Sequence, residues 1–551
     1  MTDPTASKPS GIRNNQVEAI FRYHEETKHH VHRYARSLGY MDWDNQPNPF
    51  RFYEDVPRIA LPFLREDPPF DQPGLYLRES RSSAEFGAET IGGFLELSLG
   101  LSAWKIMGRS RWSLRMNPSS GNLHPTEAHL ILPAVSGIDA GVYHYNPFLH
   151  SLEKRAEVAG DLWRKISAHF QTNGFLIALC SIFWRESWKY GERGFRYCNH
   201  DAGHALAGLS FAANLFGWKA MYLNSVSSQE METLLGFGQT PFVSLEEEEP
   251  ELLCYVYPQS AGDIPRDLPP DLTASFASVA FSGRPNALSR EHVNWEIIYR
   301  TAELTQKPAT KKRGYDYGIQ SFHPPQPGEP GAAAIIRRRR SATAFDRSGA
   351  ISRRRFLAVL DKTLPRNECA PFDVQLSEPC IHLLLFVHRV EGLAAGLYFL
   401  CRNPDHLDSL KRLSQPDFLW RRIEEDLPLF CLQEGNFRQQ AMLVSCHQDI
   451  AGHSAFSLGM IARFRDIVAG EPYRYRHLFW ETGMVGQVLY LEGEACGLRG
   501  TGIGCFFDDA VHEILGFQDD TYQSLYHFTV GKPVEDPRLT TSPPYAHLKK
   551  S

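Results

Sequence analysis

No Cys-x-x-Cys pair occurs among the ten cysteines of this sequence, which excludes the usual structural zinc pattern and a compact disulfide framework and fits reduced thiols. No apolar run reaches the roughly 18 residues of a transmembrane helix. Residues 1–16, MTDPTASKPSGIRNNQ, lack the apolar stretch of a secretory signal. Basic excess is also missing: 58 Lys and Arg stand against 64 Asp and Glu, a formal charge of −6. A general nucleic-acid or anionic-membrane binder leans basic. The expectation is a soluble, cytoplasmic protein with neither nucleic-acid nor membrane partners. What remains is a globular composition, 551 residues with 42% apolar and 22% charged, enough for two to four domains with sizeable cores.

The chain repeats itself. Asp201-Ala202-Gly203, Ala213 to Gly217 and Leu235-Gly236-Phe237 recur as Glu481-Thr482-Gly483, Ala495-Cys496-Gly497 and Leu515-Gly516-Phe517, with glycines at a constant offset of 280. Gly141-Val142-Tyr143 with Asn146-Pro147 parallels Gly396-Leu397-Tyr398 with Asn403-Pro404 at an offset of 255, so the second copy carries about 25 extra residues in between. The predicted organisation is an N-terminal extension over 1–77 wrapping the core, copy one over 78–260, a linker over 261–332, copy two over 333–537 and a tail over 538–551. The stretch Phe322 to Gly331, rich in Pro and Gly, resists regular structure.

Ala128 to Pro133 and Ile381 to His388 are short continuous apolar runs, as strands buried on both faces require. Leu206 to Phe216 and Val485 to Cys496 read as buried helices. The class is α+β. Two similar halves are expected to pack as an intramolecular pseudo-dimer, because a duplicated homodimer keeps its isologous interface.

Three loops attract attention. Arg337 to Arg340 followed by Ser341, Ala342 and Thr343 offers guanidinium forks, a hydroxyl and helix-start amides to a phosphate, although a solvated basic face explains a charge run equally well. Arg115-Met116-Asn117-Pro118-Ser119-Ser120-Gly121-Asn122 is a turn whose hydroxyls and amides can meet a polar ring, or an ordinary turn. In Gly500-Thr501-Gly502-Ile503-Gly504-Cys505-Phe506, alternating glycines let backbone approach a ligand. At an offset of 280 they fall on Ala220, Tyr222 and Asn224, so copy one has lost that clearance.

Lys189 and Tyr190 stand side by side and can share a proton, with Arg193 and Arg196 as neighbours that lower a lysine pKa; a cation–aromatic packing cluster is the alternative. His24, His29, His30 and His32 lack matching ligand spacing and read as a solvated helix face, with no metal expected.

At these words the sequence resembles the nitroreductase-like FMN oxidoreductases, in the branch of azoline dehydrogenases that act on thiazole/oxazole-modified peptides such as streptolysin S. The matching residues are Arg340-Ser341 with Phe345-Asp346, Pro118 to Glu127, Gly141 to Pro147, Lys189-Tyr190-Gly191, Gly502 to Phe506, and an N-terminal block with Tyr23-His24, Thr27-Lys28-His29, Leu38 to Trp43 and Pro49-Phe50-Arg51. The resemblance implies a tandem nitroreductase-like fold with FMN at the interface between halves. It assigns Arg339, Arg340, Ser341, Thr343, Arg115, Pro118, Ser119, Ser120, Asn122, Gly502, Ile503, Gly504, Cys505 and Lys532 to cofactor binding, and Lys189 and Tyr190 to catalysis. Cys505 stands where the family usually has a second glycine, and Thr343 where a basic residue is frequent. Copy one has Glu85 at the place of Thr343 and Val256-Tyr257 in place of Gly531-Lys532, and the counterpart of its Pro-Ser-Ser-Gly-Asn loop, Asp373 to Ser377, has lost that pattern. One complete flavin site per chain is the implication, with the Arg81 region of the other dismantled.

The implied reaction passes hydride between a substrate carbon and flavin N5, with an azoline ring in a peptide as substrate and peptide-modifying enzymes as partners. Two other functions share the scaffold: NAD(P)H-dependent reduction of a small nitro or quinone compound, and a degenerate flavoprotein that only binds a peptide or partner. A monomer with an internal pseudo-dimer and a higher homo-oligomer both remain open.

Overall fold

The continuous apolar runs lie at the centres of two antiparallel seven-stranded sheets in the computed structural model, which describes residues 10–77, 82–318 and 330–548, with side chains from residue 14 onward. Arg81 and residues 322–329 of the Pro-Gly stretch lie outside the described residues.

The first sheet runs in the order Arg58–Ala60, Ser151–Glu157, Gly141–Asn146, Thr126–Leu132, Phe175–Ser181, Glu249–Pro258 and Trp218–Tyr222. The second runs Arg421–Arg422, Leu429–Glu434, Gly396–Leu400, Ile381–Val387, Phe456–Arg463, Tyr522–Gly531 and Arg499–Ile503. Six strands correspond in chain order and position, and only the edge strands differ in origin. The extra residues of the second copy sit in one connection. Asn146 and Ser151 are joined by a tight turn in the first half, whereas 401–428 in the second half hold the helix Leu407–Leu413 and the edge strand. Both central strands, Thr126–Leu132 and Ile381–Val387, are buried along their whole length, so no alternation is visible in them.

Between the sheets lie two fully helical 22-residue segments, Gly194–Leu215 and Arg474–Ala495, packed on each other. Only their C-terminal portions are legible as buried helix. The N-terminal portions are rich in polar residues that find partners across the contact: Trp480 Nε1 donates to Asn199 Oδ1 at 2.9 Å, and His200 Nδ1 meets Thr482 Oγ1 at 2.9 Å. Paired in this way, polar side chains can be buried without a hydrophobic pattern.

Several segments tie the halves together. Within 261–332, the helices Pro270–Ser275 and Glu296–Leu304 are packed, and Leu272, Phe276, Ile298 and Ala302 are core residues, so this span is no free tether. The tail strand Thr540–Ser542 pairs with Leu101–Met107 of the first half, and the Tyr545 hydroxyl accepts from Leu101 N at 2.9 Å. In the N-terminal extension His24 and His29 are buried rather than solvated. His24 meets Tyr475 and Gln523, and His29 Nδ1 accepts from Ala35 N. Only His24 of the four histidines lies in the helix Ser10–Glu26. Among the described residues no helix is long and apolar enough to cross a membrane.

Candidate active site

The hairpin Leu101–Met107/Ser110–Arg115 and the turn that follows bring the first half against the second, and a cavity of about 440 Å³ opens between them. Arg115, Pro118, Ser119, Ser120, Asn122 and Tyr190 line it from one side; Arg339, Arg340, Ser341, Thr343, Gly502, Ile503, Gly504 and Cys505 line it from the other. Thus residues 149 to 390 positions apart in sequence face one cavity.

Cations dominate one part. Arg339 and Arg340 follow the C-terminal end of the helix Ala332–Arg338, so the expected helix-start amides are absent and the positive potential comes from side chains. The four arginines diverge: Arg337 pairs with Asp67 and Glu96, Arg338 is exposed, and Arg339 and Arg340 turn into the cavity. Arg339 donates to the Arg115 carbonyl at 2.9 Å and Arg340 to the Ser102 carbonyl at 2.9 Å. Burial lowers Arg115 and Arg340 to about 10, with Arg339 adding to the effect on Arg340. Among the described residues, the buried Nε atoms of Arg115 and Arg339 have no hydrogen-bond partner. Lys105 and Arg499, absent from the predicted set, also line the wall, Arg499 paired there with Glu535 at 2.6 Å. Such a concentration of buried guanidinium suits a phosphate.

The glycines of Arg499–Ile503 and Gly504 after it leave room for aromatic side chains of the protein. A Cβ on Gly502 would collide with the Tyr526 hydroxyl, one on Gly504 with the Tyr197 ring, and one on Gly500 would stand 2.6 Å from the Phe528 ring. Their clearance admits aromatic side chains of the protein. Gly502 N in turn donates to the Tyr490 hydroxyl, which also meets Ser341 Oγ, both at 2.9 Å.

The other part of the cavity is acidic and phenolic. Asp201, on the helix Gly194–Leu215, accepts from Ser120 N at 3.1 Å and from Ser120 Oγ at 3.2 Å. No ion pair reaches it among the described residues, and burial lifts its carboxyl to about 7. Glu186, on the helix Phe183–Tyr190, is buried 3.5 Å from Ser119 Oγ. Burial, then the Asp201 charge, pushes its carboxyl well above the usual range. Glu186, Lys189 and Tyr190 are spaced i, i+3 and i+4 and so share a helix face, a spacing that is visible in the sequence itself. Lys189 does not itself line the cavity. It and Tyr190 both abut the Pro-Ser-Ser-Gly-Asn loop: a Cβ on Gly121 would stand 2.6 Å from the Tyr190 hydroxyl and 3.2 Å from Lys189 Nζ.

Three expectations need correction. Arg193 and Arg196 do not face Lys189; both pair with buried Asp508, at 3.0 and 2.8 Å. Burial, then the Glu186 charge, raises the Tyr190 phenol, so it is held protonated. Lys532 lies outside the cavity wall, mostly exposed and paired with Asp346 at 3.1 Å.

The corresponding place in the other half is filled. Tyr222 packs edge-on against His477 and Trp480. Residues from the 261–332 span close over it: Asn224 Nδ2 donates to the Arg313 carbonyl, Tyr315 N donates to Gln375 Oε1 at 2.7 Å, and the Tyr317 hydroxyl donates to the Ser377 carbonyl at 2.9 Å. Glu481, at the position of Asp201, pairs with Arg402. What remains beside it is a void of about 10 Å³.

Two clusters have metal-like donors. In Glu25, His30 and Asp509 the Lys28 ammonium already bridges the two carboxylates, at 2.8 Å each, and His129, Cys180 and Glu248 lie beside the Arg51 guanidinium, 3.2 Å from Glu248. A cation in either place is already supplied by a side chain.

Comparison with known proteins agrees with this architecture. Residues 336–532 match the nitroreductase family model. Over 138 residues the chain is 32% identical to the trifolitoxin-processing protein TfxB of Rhizobium leguminosarum bv. trifolii, covering 23% of this chain and 36% of TfxB. Over 135 residues it is 27% identical to the nitroreductase-like protein MJ1384 of Methanocaldococcus jannaschii, covering 23% of this chain and 66% of that protein. The matches thus span about one third and just under two thirds of these relatives. A crystal structure from Anabaena variabilis, assigned to the nitroreductases, superimposes over 94% of this chain and 99% of its own length with a TM-score of 0.68 at 21% identity, which establishes the fold of both halves.

Proposed function

Starting from a chain whose residues 336–532 form a nitroreductase-family domain within a nitroreductase-like fold, we propose that the protein is an FMN-dependent oxidoreductase with one flavin site per chain, and that it aromatises azoline rings in a modified peptide by removing two hydrogens. The observation that carries this reading is the single cavity in which buried, partly unsatisfied guanidinium groups and a buried carboxyl–phenol cluster meet. Arg339, Arg340, Arg499 and Lys105 would hold the phosphate. Arg115 and the Pro118 to Asn122 turn, with Gly502 to Cys505, would hold the ring system. FMN supplies the two-electron acceptor when bound.

The protein supplies orientation and proton traffic. Ser119 and Ser120 are fixed by Glu186 and Asp201, which keeps the turn that carries Gly121 and Asn122 in its left-handed conformation. Lys189 Nζ and the Tyr190 hydroxyl, held as a phenol, both abut that turn, and the removal of the substrate's carbon-bound proton is assigned to this pair. The processing role in TfxB's name agrees with a peptide substrate, and partner enzymes that install the azoline ring follow from that chemistry.

The test is anaerobic mixing of FMN-loaded protein with an azoline-bearing peptide or with NAD(P)H. Flavin bleaching by the peptide, with loss of two hydrogen atoms per ring in the product mass, is expected. Bleaching by NAD(P)H alone, followed by reduction of a nitro or quinone compound, would replace this reading with the reductase one.

A further inference from the structure

One thiol of the cavity wall, Cys505, lies against a second, Cys446, behind it, and the flavin reading uses neither sulfur. Cys505 follows the strand Arg499–Ile503 and lines the cavity; Cys446 lies in the turn after the helix Arg438–Val444. Their Sγ atoms are 2.7 Å apart and share a hydrogen bond, although 59 residues separate them. Two hydrogen bonds clamp the segments on either side of the sulfurs: Phe507 N donates to the Val444 carbonyl at 2.8 Å, and Gln448 Nε2 donates to the Cys505 carbonyl at 3.1 Å. Cys446 and His447 both adopt left-handed backbone, at φ 54° and 58°. Neither residue favours that conformation. The turn is therefore held in the one shape that presents Cys446 to Cys505.

The electrostatics are those of a reactive thiol. Arg193 donates to the Gly504 carbonyl at 3.1 Å and stacks over Phe506, so its charge lies beside Cys505; Asp508 opposes it, and the Tyr34 and Tyr197 phenols face the pair. The hydrogen bond with Cys446, then Arg193, draws the Cys505 thiol down, and the same bond holds the Cys446 thiol up. Both are half-buried, whereas six of the other eight cysteines are buried.

We propose that Cys446 and Cys505 are a redox-active dithiol pair that exchanges with low-molecular-weight disulfides. The Cys505 thiolate attacks one sulfur of the small disulfide, forming a mixed disulfide and releasing one thiolate. Cys446, its proton lost to solvent, then attacks the Cys505 sulfur. The Cys446–Cys505 bond forms and the second thiolate leaves. The chain's two thiols give up two electrons and two protons; the small disulfide takes the electrons and becomes two thiols. Because Cys505 lines the cavity, the redox state decides whether the wall presents a thiol or a disulfide. This assignment stands whether or not FMN binds.

Glutathione is the probe. The full chain is equilibrated with glutathione and its disulfide at graded ratios, quenched in acid, alkylated and mapped by mass. The expected result is one cross-link joining the peptides of Cys446 and Cys505, lighter than the dithiol by two hydrogen atoms. Cys446→Ser should accumulate glutathione on Cys505 about tenfold faster than on any other cysteine. Cys505→Ser should leave Cys446 about tenfold slower than that, because it lacks the stabilised thiolate. Circular dichroism identifies any variant that has not folded. Absence of the cross-link at every ratio in the folded chain, or glutathione spread evenly over the cysteines of Cys446→Ser, would overturn the proposal.

Discussion

Gly203 and Gly483 face each other where the two long helices meet. A Cβ on Gly483 would stand 2.8 Å from the Gly203 Cα and would collide with the His200 carbonyl, and one on Gly203 would collide with the Trp480 carbonyl. The two residues are the 280-offset pair of the repeat, so the same position in each copy closes the contact with the other. Backbone cannot give way as a flexible side chain can. Gly203→Ala and Gly483→Ala are each expected to destabilise the chain by about 1–3 kcal/mol. The double variant should lose less than the sum, because the helices, once parted, accommodate the second methyl. Urea unfolding of the three variants checks this, and strict additivity would argue against the shared contact.

For the phosphate, Arg340→Ala removes a charge-assisted donor and should lower FMN affinity by about 1.5–3 kcal/mol, roughly 10- to 150-fold. Arg338→Ala, two positions away and exposed, should leave it nearly unchanged. Flavin fluorescence titration measures both. Equal losses would mean that the arginine run acts as a diffuse field and not through Arg340. Saturation at two FMN per chain would contradict the filled second site around Tyr222 and Tyr317.

Proton handling and flavin binding should separate. Lys189→Met and Tyr190→Phe are expected to keep FMN, since neither residue belongs to the cationic wall, and to lose about 10²- to 10⁴-fold in turnover of a substrate that must shed a carbon-bound proton. Flavin content measured beside turnover decides it: colourless protein would give the pair a structural role, and normal azoline turnover would remove it from the mechanism.

Asp201 couples the site to pH. A carboxyl raised in the folded state to about 7 binds its proton more tightly there than in the unfolded chain. Its contribution is therefore least unfavourable below about pH 4, grows costlier as pH rises through the window from about 4 to 7, and is constant above. Asp201→Asn lacks this dependence and also relieves the charge that helps hold Glu186 raised, which acts in the same direction, while the raised Glu249 carboxyl remains in both proteins. Stability of the variant relative to the parent should climb across that window. Urea midpoints at several pH values test it; a pH-independent difference would mean that Asp201 does not titrate there.

Much of this architecture was legible because it rests on local chemistry. The apolar runs Ala128 to Pro133 and Ile381 to His388 point to buried strands by composition, and the repeated glycines mark the shared helix contact at a constant spacing. The Pro118 to Asn122 turn and the Gly502 to Cys505 stretch could be placed in one site by resemblance. Other features depend on partners that no local pattern reveals. Arg337 and Arg340 are chemically identical neighbours, yet one is neutralised by Asp67 and Glu96 while the other enters the cavity. Arg193 and Arg196 looked like neighbours of Lys189 until Asp508, more than 300 positions away, claimed both.

The sequence by itself determined which residues can be strand, turn or reactive group, because backbone preference and side-chain chemistry are properties of the residue and its near neighbours. Only the tertiary structure decided which charges are cancelled and which stay available. Burial lifts the Asp201 carboxyl to about 7 against the lowering effect of its Ser120 hydrogen bonds, and among the described residues no cation pairs with it, whereas Glu481 at the same place in the other copy is paired with Arg402. The physical reason is that desolvation and Coulomb attraction act through space, and distance in space is set by the fold, not by position along the chain.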